Sequence, residues 1–461
     1  MAMTDADYLG RSALVAGAAR SGIAAARFLL GRGARVILSD AKGREALAPE
    51  VSALSEFAAQ SPGELVLELG GNRDGSFAAV DFVVASPGMP LTLPCFEASR
   101  RAGVPVIAEV ELAWRHLKGA VVGVTGSTGK TTTTMLATAL AAGAGRRAFA
   151  AGNIGAPLID FVERSEQGDV YVVELSSFQL EAIVDFKPLA AAVLNLTPDH
   201  MDRYPGFGDY VAAKARILMN QRPGDVAVLN ADDPLAAALA GDACGKVWFF
   251  SRTREVAMGA FVRDGMVVFR DGRGERGLFP ADAMRLRGGH NLENVLAASL
   301  LALAAGAPPE SLEAGVRGFR GVEHRIEPVA EIGGVAYYND SKATNVDATA
   351  KALEAFPGGV HLIAGGRDKA GDFTALRPLV QGRVKQLVLV GEAAGKLRAA
   401  LAGATEIRDA SSMREAVAIA RAGAVAGDVV LLAPACASFD MFDDYEHRGR
   451  VFKDAVRALE A

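Results

Sequence analysis

The stretch "VVGVTGSTGKTTTTMLATAL", Val121–Leu140, decides how the rest of the chain is read. An apolar run, a Gly-Ser-Thr-Gly-Lys turn and a helical pattern follow one another. Glycines let a backbone approach an anion closely, and the amides that open a helix point towards it. The loop spans Gly126, Ser127, Thr128, Gly129, Lys130, Thr131 and Thr132. Lys130 adds a charge for distal phosphates, and Thr131 offers a hydroxyl to Mg²⁺. The usual spacing would place a glycine where Val124 stands. Here the glycines are Gly123, Gly126 and Gly129, a compact variant. The stretch predicts a nucleoside triphosphate site at a strand-to-helix junction.

Outward from this loop the chain repeats the same alternation. "ALVAG" (13–17), "RVILSD" (35–40), "ELVLEL" (64–69), "DFVVAS" (81–86) and "VPVIAE" (104–109) read as buried parallel strands, with helical patterns such as Ile23–Leu30 between them. A second series holds the loop, "VYVVELS" (170–176), "AAAVLNL" (190–196) and the helix "HNLENVLAASLLALAA". A third holds "VAYYND" (335–340), "VHLIAGG" (360–366), "QLVLVG" (386–391) and "DVVLLAPA" (428–435). At roughly 150 residues per domain, 461 residues suit three α/β domains, expected at 1–118, 119–320 and 321–461. Half the residues are hydrophobic and the net charge is −5, from 54 acids and 49 bases, which argues against a nucleic-acid partner. Cys95, Cys244 and Cys436 form no Cys-x-x-Cys, which fits a reducing compartment. "MAMTDADYLG" is no signal peptide, and the longest apolar stretch, Asn294–Ala307, is too short to span a bilayer. A cytoplasmic protein without membrane insertion is expected.

Polar residues gather where the strands of the second series end, the edge at which α/β folds bind ligands. "YVVELSSFQLE" sets Glu174 at a strand end, placed to hold Mg²⁺ directly or through water. "NLTPDHMDRY" packs Asp199, His200 and Asp202 into one loop. His200 reads either as a metal or phosphate ligand or as a structural histidine. In "YVAAKARIL", Tyr210, Val211, Ile217 and Leu218 surround Lys214 at helical spacing, so the lysine sits in an apolar face. Snorkelling or a salt bridge is the ordinary outcome. A buried neutral amine near Mg²⁺ is the other, and such an amine adds CO₂ to become a carbamate. Asn291 and Asn294, at i and i+3 in "GGHNLEN", either read adenine or cap their helix.

"GAARSG" (17–22) with Asp40 has the layout of the dinucleotide fingerprint, but Ala19 replaces its middle glycine. NAD is therefore disfavoured, while "SPGMP" (86–90) lines the same crevice. In the third series "NDSKATN", "GGRDKAGDF" and "ACASFDMFDDYEHRG" bring Lys342, Thr344, Lys369 and Ser438 after successive strands, a set suited to a small acidic substrate. A solvated helix is the plainer reading of "FDDYEHRG".

Taken together, "GSTGKTT", "ELSSFQLE", "TPDHMDR", "AAKARI", "GGHNLEN" and "VEHRIE", in this order, resemble the Mur ligases, ATP-dependent amide-forming enzymes of peptidoglycan synthesis. The resemblance runs from "GAARSG" to "FDDYEHRG". It implies two Rossmann-like domains flanking a central P-loop-type ATP domain. "YNDSKATN" and "APACASFDMF" resemble the branch that adds D-glutamate to UDP-N-acetylmuramoyl-L-alanine. By resemblance, Lys130, Glu174, His200 and Lys214 are catalytic. Thr131 and Glu174 serve one Mg²⁺; His200 and a carbamylated Lys214 serve a second. Asn291, Asn294, Arg325, Asp340 and Lys342 frame ATP together with the loop. Arg20, Ser21, Asp40, Ser86, Pro87 and Gly88 line the uridine end, and Asn153 and Ser176 lie near the reacting centre. Lys342, Thr344, Lys369, Ser438 and Tyr445 bind D-glutamate. A monomer is expected. Other readings stay open at this point: a related ligase with another acceptor, an NAD-dependent oxidoreductase, and a non-catalytic nucleotide switch.

Overall fold

A computed structural model describes residues 8–201, 203–284, 288–368 and 371–459. Three sheets organise it. The first contains β1 (Ser12–Ala16), β2 (Arg35–Asp40), β3 (Glu64–Leu69), β4 (Phe82–Ala85) and β5 (Val106–Ala108), all parallel in the order β3-β2-β1-β4-β5. Helix Arg20–Gly31 buries Ala25, Ala26, Leu29 and Leu30 against it. The order reverses between β1 and β4, so the loops after these two strands face one crevice.

The second sheet runs β14-β13-β12-β11-β10-β9-β6-β8-β7. Its strands are β6 (Ala120–Thr125), β7 (Ala148–Gly152), β8 (Val170–Glu174), β9 (Ala190–Val193), β10 (Val226–Asn230), β11 (Lys246–Ser251), β12 (Gly259–Arg263), β13 (Met266–Asp271) and β14 (Gly274–Pro280). Only β12-β13-β14 pair antiparallel. The sequence reading omits this meander and β7, β10 and β11. Yet "GAFVR" and "MVVFRD" flank Asp264-Gly265, whose φ values of 48° and 73° suit a two-residue hairpin turn. Strand β6 lies between β8 and β9 and ends in the phosphate loop. Helices Lys130–Gly143 and Gly289–Ala304 pack on this sheet through Leu136, Leu140, Leu296 and Leu300.

One apolar cluster runs from Val15, Leu29 and Val110 of the first sheet's layers to Leu158, Leu175 and Ile217 of the second. Consequently the first two sheets belong to one compact unit, ending at Phe319. The second unit, from Arg320 onward, holds β15 (Glu327–Ile332), β16 (Val335–Asn339), β17 (Val360–Gly365), β18 (Val384–Val390), β19 (Glu406–Asp409) and β20 (Val429–Leu432). Their order is β15-β16-β20-β17-β18-β19, with only β15 antiparallel. Again the central strand, β20, places its loop between those after β16 and β17. No helix among the described residues is long and apolar enough to cross a membrane.

Candidate active site

The phosphate loop is held open by side chains rather than by its glycines alone. Gly129 has φ 81°, and a Cβ there would run into Asn294 Oδ1. The buried Ser127 hydroxyl donates to Thr197 O (2.9 Å), accepts from Thr197 N (3.0 Å) and lies 3.0 Å from the Tyr210 hydroxyl. Thr128 donates its amide and hydroxyl to Asn195 Oδ1 at 2.8 and 3.2 Å. Asn195 and Tyr210 are thus part of the site. In the sequence Tyr210 reads only as an apolar neighbour of Lys214, and no motif marks Asn195. The Ser127 hydroxyl thereby braces the loop expected to hold the nucleotide. Lys130 Nζ donates to Gly126 O (2.9 Å) and Ser127 O (3.0 Å), while Thr132 is half-buried behind it.

Glu174 ends β8 and is buried. Its Oε2 accepts from Thr131 Oγ1 at 2.7 Å, and its Oε1 from Asn153 Nδ2 at 2.9 Å. A hydroxyl and a carboxylate in contact are the hard oxygen donors that Mg²⁺ takes. Lys214, 2% exposed, donates from Nζ to Gly126 O at 2.8 Å and lies 4.7 Å from the Tyr210 ring centre. It neither snorkels nor, among the described residues, pairs with a carboxylate. Burial first, then the Lys130 charge, pushes its pKa down to about 7, against the pull of Asp199 and Glu174. The amino groups of Lys130 and Lys214 therefore converge on the Gly126 carbonyl.

His200 stands apart from this cluster in its recorded contacts. It has φ 56°, an exposed side chain, Nε2 3.6 Å from Asp199 Oδ2, and its ring 4.9 Å from that of Phe178. Among the described residues no group of three or more His, Cys, Asp or Glu is arranged around a metal position. Asp202 lies outside the described residues. Asn294 Nδ2 donates to Asn291 Oδ1 (3.2 Å), and Thr133 Oγ1 to Asn294 Oδ1 (3.3 Å). Asn294 is the sixth residue of helix Gly289–Ala304, past the amides that a cap would serve, so capping does not describe it.

In the first sheet's crevice, Ser86 Oγ donates to Gly17 O at 3.2 Å. Asp40, expected at the uridine end, accepts Ala18 N on Oδ2 (2.7 Å) and Lys42 N on Oδ1 (2.8 Å). The two oxygens thus shape the loops after β1 and β2. Arg20 reaches the Gly155 carbonyl at 2.5 Å, and Ser21 is half-buried beside it. Gly88 is exposed, between the Pro87 and Met89 carbonyls that accept from Arg203 Nη1 and Nη2, each at 3.0 Å. The Arg203 guanidinium also covers the Phe178 ring at 3.8 Å. Ser176 caps helix Ser177–Glu181 in a capping box with Gln179.

In the second unit, Asp340 follows β16 and is buried, its Oδ1 accepting Ile326 N at 3.3 Å. Burial raises its pKa to about 7, opposed by that amide and by the Arg325 charge. Lys342 Nζ stands 3.9 Å above the Tyr445 ring. Thr344 donates its amide to Lys342 O at 2.8 Å, and Ser438 is buried after β20. Lys369 lies outside the described residues.

Three family models match in register with these sheets: the Mur ligase MurD-like N-terminal domain over 11–108, the Mur ligase middle domain over 124–302, and the Mur ligase glutamate ligase domain over 324–436. The chain belongs to the Mur ligase family, mixed α/β proteins of three domains built on parallel sheets. The UDP-N-acetylmuramoylalanine–D-glutamate ligase of Acidobacterium capsulatum is 48% identical over 451 residues, 97% of this chain and 96% of that protein. The ligase of the same name from Koribacter versatilis is 47% identical over 453 residues, 98% of each. Among solved structures, the UDP-N-acetylmuramate-alanine ligase MurC of Thermotoga maritima has a TM-score of 0.58 at 18% identity, covering 97% of this chain and 99% of that one, a likeness of fold.

Proposed function

We propose that this chain joins D-glutamate to UDP-N-acetylmuramoyl-L-alanine in an ATP-driven amide ligation, a cytoplasmic, monomeric step in making peptidoglycan for cell shape and division. The near full-length identity to ligases of that name carries the reading. In it, residues 1–118 hold the UDP end, 119–320 are a P-loop-type domain for ATP and Mg²⁺, and 321–461 take the amino acid.

A carboxylate is a poor electrophile, because its leaving group would be oxide. Transfer of the γ-phosphoryl group to the alanyl carboxylate supplies a leaving group. The D-glutamate amine then attacks that carbonyl, and the tetrahedral adduct expels phosphate. Lys130 and the amides at the start of helix Lys130–Gly143 bind the phosphates, and the other loop residues, Gly126 to Thr132, line them. Asn291 and Asn294 face the base, with Arg325, Asp340 and Lys342 as further ATP contacts. Arg20, Ser21, Asp40, Ser86, Pro87 and Gly88 form the uridine crevice, with Asp40 acting through the loops it holds. Asn153 orients Glu174, and Ser176 lies beside it. Lys342, Thr344, Lys369, Ser438 and Tyr445 receive D-glutamate.

Thr131 and Glu174 fit a first Mg²⁺; by the family resemblance, His200 and a carbamate on Lys214 would hold a second. The ions supply charge neutralisation at the crowded phosphates. Supporting the carbamate is an amine titrating near 7, buried beside Glu174 and Asp199.

Phosphate release from ATP with UDP-N-acetylmuramoyl-L-alanine, with and without D-glutamate, tests the reading. D-glutamate-dependent turnover, unsupported by L-alanine, L-lysine or meso-diaminopimelate, is the expected result. Turnover with another acceptor would keep the family and overturn the substrate.

A further inference from the structure

Arg448 is 1% exposed, the largest side chain buried so completely among the described residues. It projects from the first turn of helix Tyr445–Arg457, and its guanidinium joins two loops. Nε donates to Ser341 Oγ (2.9 Å), Nη2 to Ser341 O (2.8 Å) and Nη1 to Cys436 O (3.0 Å). Ser341 Oγ in turn donates to Tyr445 O at 2.7 Å, so the helix start is tied into the same knot. Ser341 neighbours Lys342, whose ammonium rests on the Tyr445 ring, and Cys436 stands two residues before Ser438.

The acceptors are a hydroxyl and two carbonyls. Among the described residues the hydrogen-bond partners of this buried cation are all neutral and Asp440 acts on it only through its charge, although a side chain that gives up water for so little compensation is costly to fold around. An apolar residue of similar volume would fill the space more cheaply. Gly366 adds a second sign of fit, since a Cβ there would stand 3.2 Å from Arg448 Nη1 and closer still to Ala437 O. The planar fork, with three donors aimed at fixed points on two loops, is what a lysine cannot reproduce.

We infer that Arg448 is a positioning residue for the acceptor amino acid: it sets the spacing between the loop that carries Lys342 and Thr344 and the loop that carries Ser438. It also leaves a fixed positive charge behind a site that receives a dicarboxylate. The inference rests on the acceptor site proposed above. It predicts a defect centred on the acceptor: the phosphate loop and Glu174 belong to other elements, and only Asp340 and Lys342 of the proposed ATP contacts flank the serine that Arg448 holds.

The test is steady-state phosphate release by the full chain and its R448K, R448M and S341A variants, titrating D-glutamate and ATP separately. The apparent KM for D-glutamate should rise about tenfold or more in R448M and by less in R448K, and in each variant the KM for ATP should change clearly less than that for D-glutamate. S341A and R448K combined should fall short of additivity, as residues in one network do. Thermal melts accompany each variant. If R448M does not fold, R448K and S341A carry the same comparison. Equal changes in both KM values, or none with a lowered melting temperature, would reduce Arg448 to a structural residue and overturn the inference alone. Wild-type protein that hydrolyses ATP without regard to any amino acid would overturn the acceptor site and this inference together.

Discussion

Lys214 shows how a single residue is read from its neighbours. Tyr210, Val211, Ile217 and Leu218 place it in an apolar face, and the structure buries it against the Gly126 carbonyl. Its chemistry then separates two roles. An arginine keeps the positive charge but forms no carbamate under these conditions. Lys214→Arg is therefore expected to lose roughly 100-fold or more in kcat, whereas a purely cationic Lys214 would lose little. With ¹³C-labelled CO₂, a carbamyl signal should grow as pH rises from 6 to 8, because the neutral amine is the form that reacts. Activity retained in the arginine variant, or no carbamyl signal in the wild type, would remove the carbamate. Asp40 is the opposite case. It fills the place of a ribose-binding acid in sequence, and each of its oxygens also accepts a backbone amide, from Ala18 and from Lys42, which no spacing rule reveals.

Among elements, the parallel strands were legible because burial on both faces leaves nearly unbroken apolar runs such as "RVILSD" and "VHLIAG". Loop residues were legible only where a motif names them. Asn195, Arg203 and Arg448 act across 67, 116 and 107 positions respectively, and nothing local marks the partner. Arg203 has a consequence of its own. It fastens the loop bearing His200 to the Pro87 and Met89 carbonyls of the first sheet's crevice. Two charge-assisted hydrogen bonds of about 1.5–3 kcal/mol each hold that junction. Arg203→Ala should raise the Mg²⁺ requirement and the KM of the UDP substrate together, by about tenfold, with a smaller change for ATP. Separate titrations of the three ligands check this, and a change in only one of the first two would break the proposed coupling.

For the molecule as a whole, the first two sheets share a core, and buried acids sit where they meet. Glu111 accepts the amides of Val184, Asp185 and Phe186 and pairs with Arg115. Glu109, 2% exposed, accepts Ile159 N on Oε1 (2.7 Å), and its Oε2 has no partner among the described residues. Burial raises its pKa from 4.5 to about 7. The folded state then binds the extra proton, so stability from this group is complete below about 4.5 and is lost as pH rises through 7. The span is worth about 3 kcal/mol. Glu109→Gln should flatten the fall in melting temperature between pH 5 and 8, and parallel curves for the two proteins would assign that fall elsewhere. The convergence of Lys130 and Lys214 on one carbonyl oxygen has a thermodynamic result as well. A polyphosphate arriving at the loop answers the Lys130 charge and draws the Lys214 pKa upward, so the protein takes up a proton at pH 7.5 as the anion binds. The heat of ATP binding should then vary with the ionisation enthalpy of the buffer, and a chain already carrying the carbamate should bind with the same heat in every buffer.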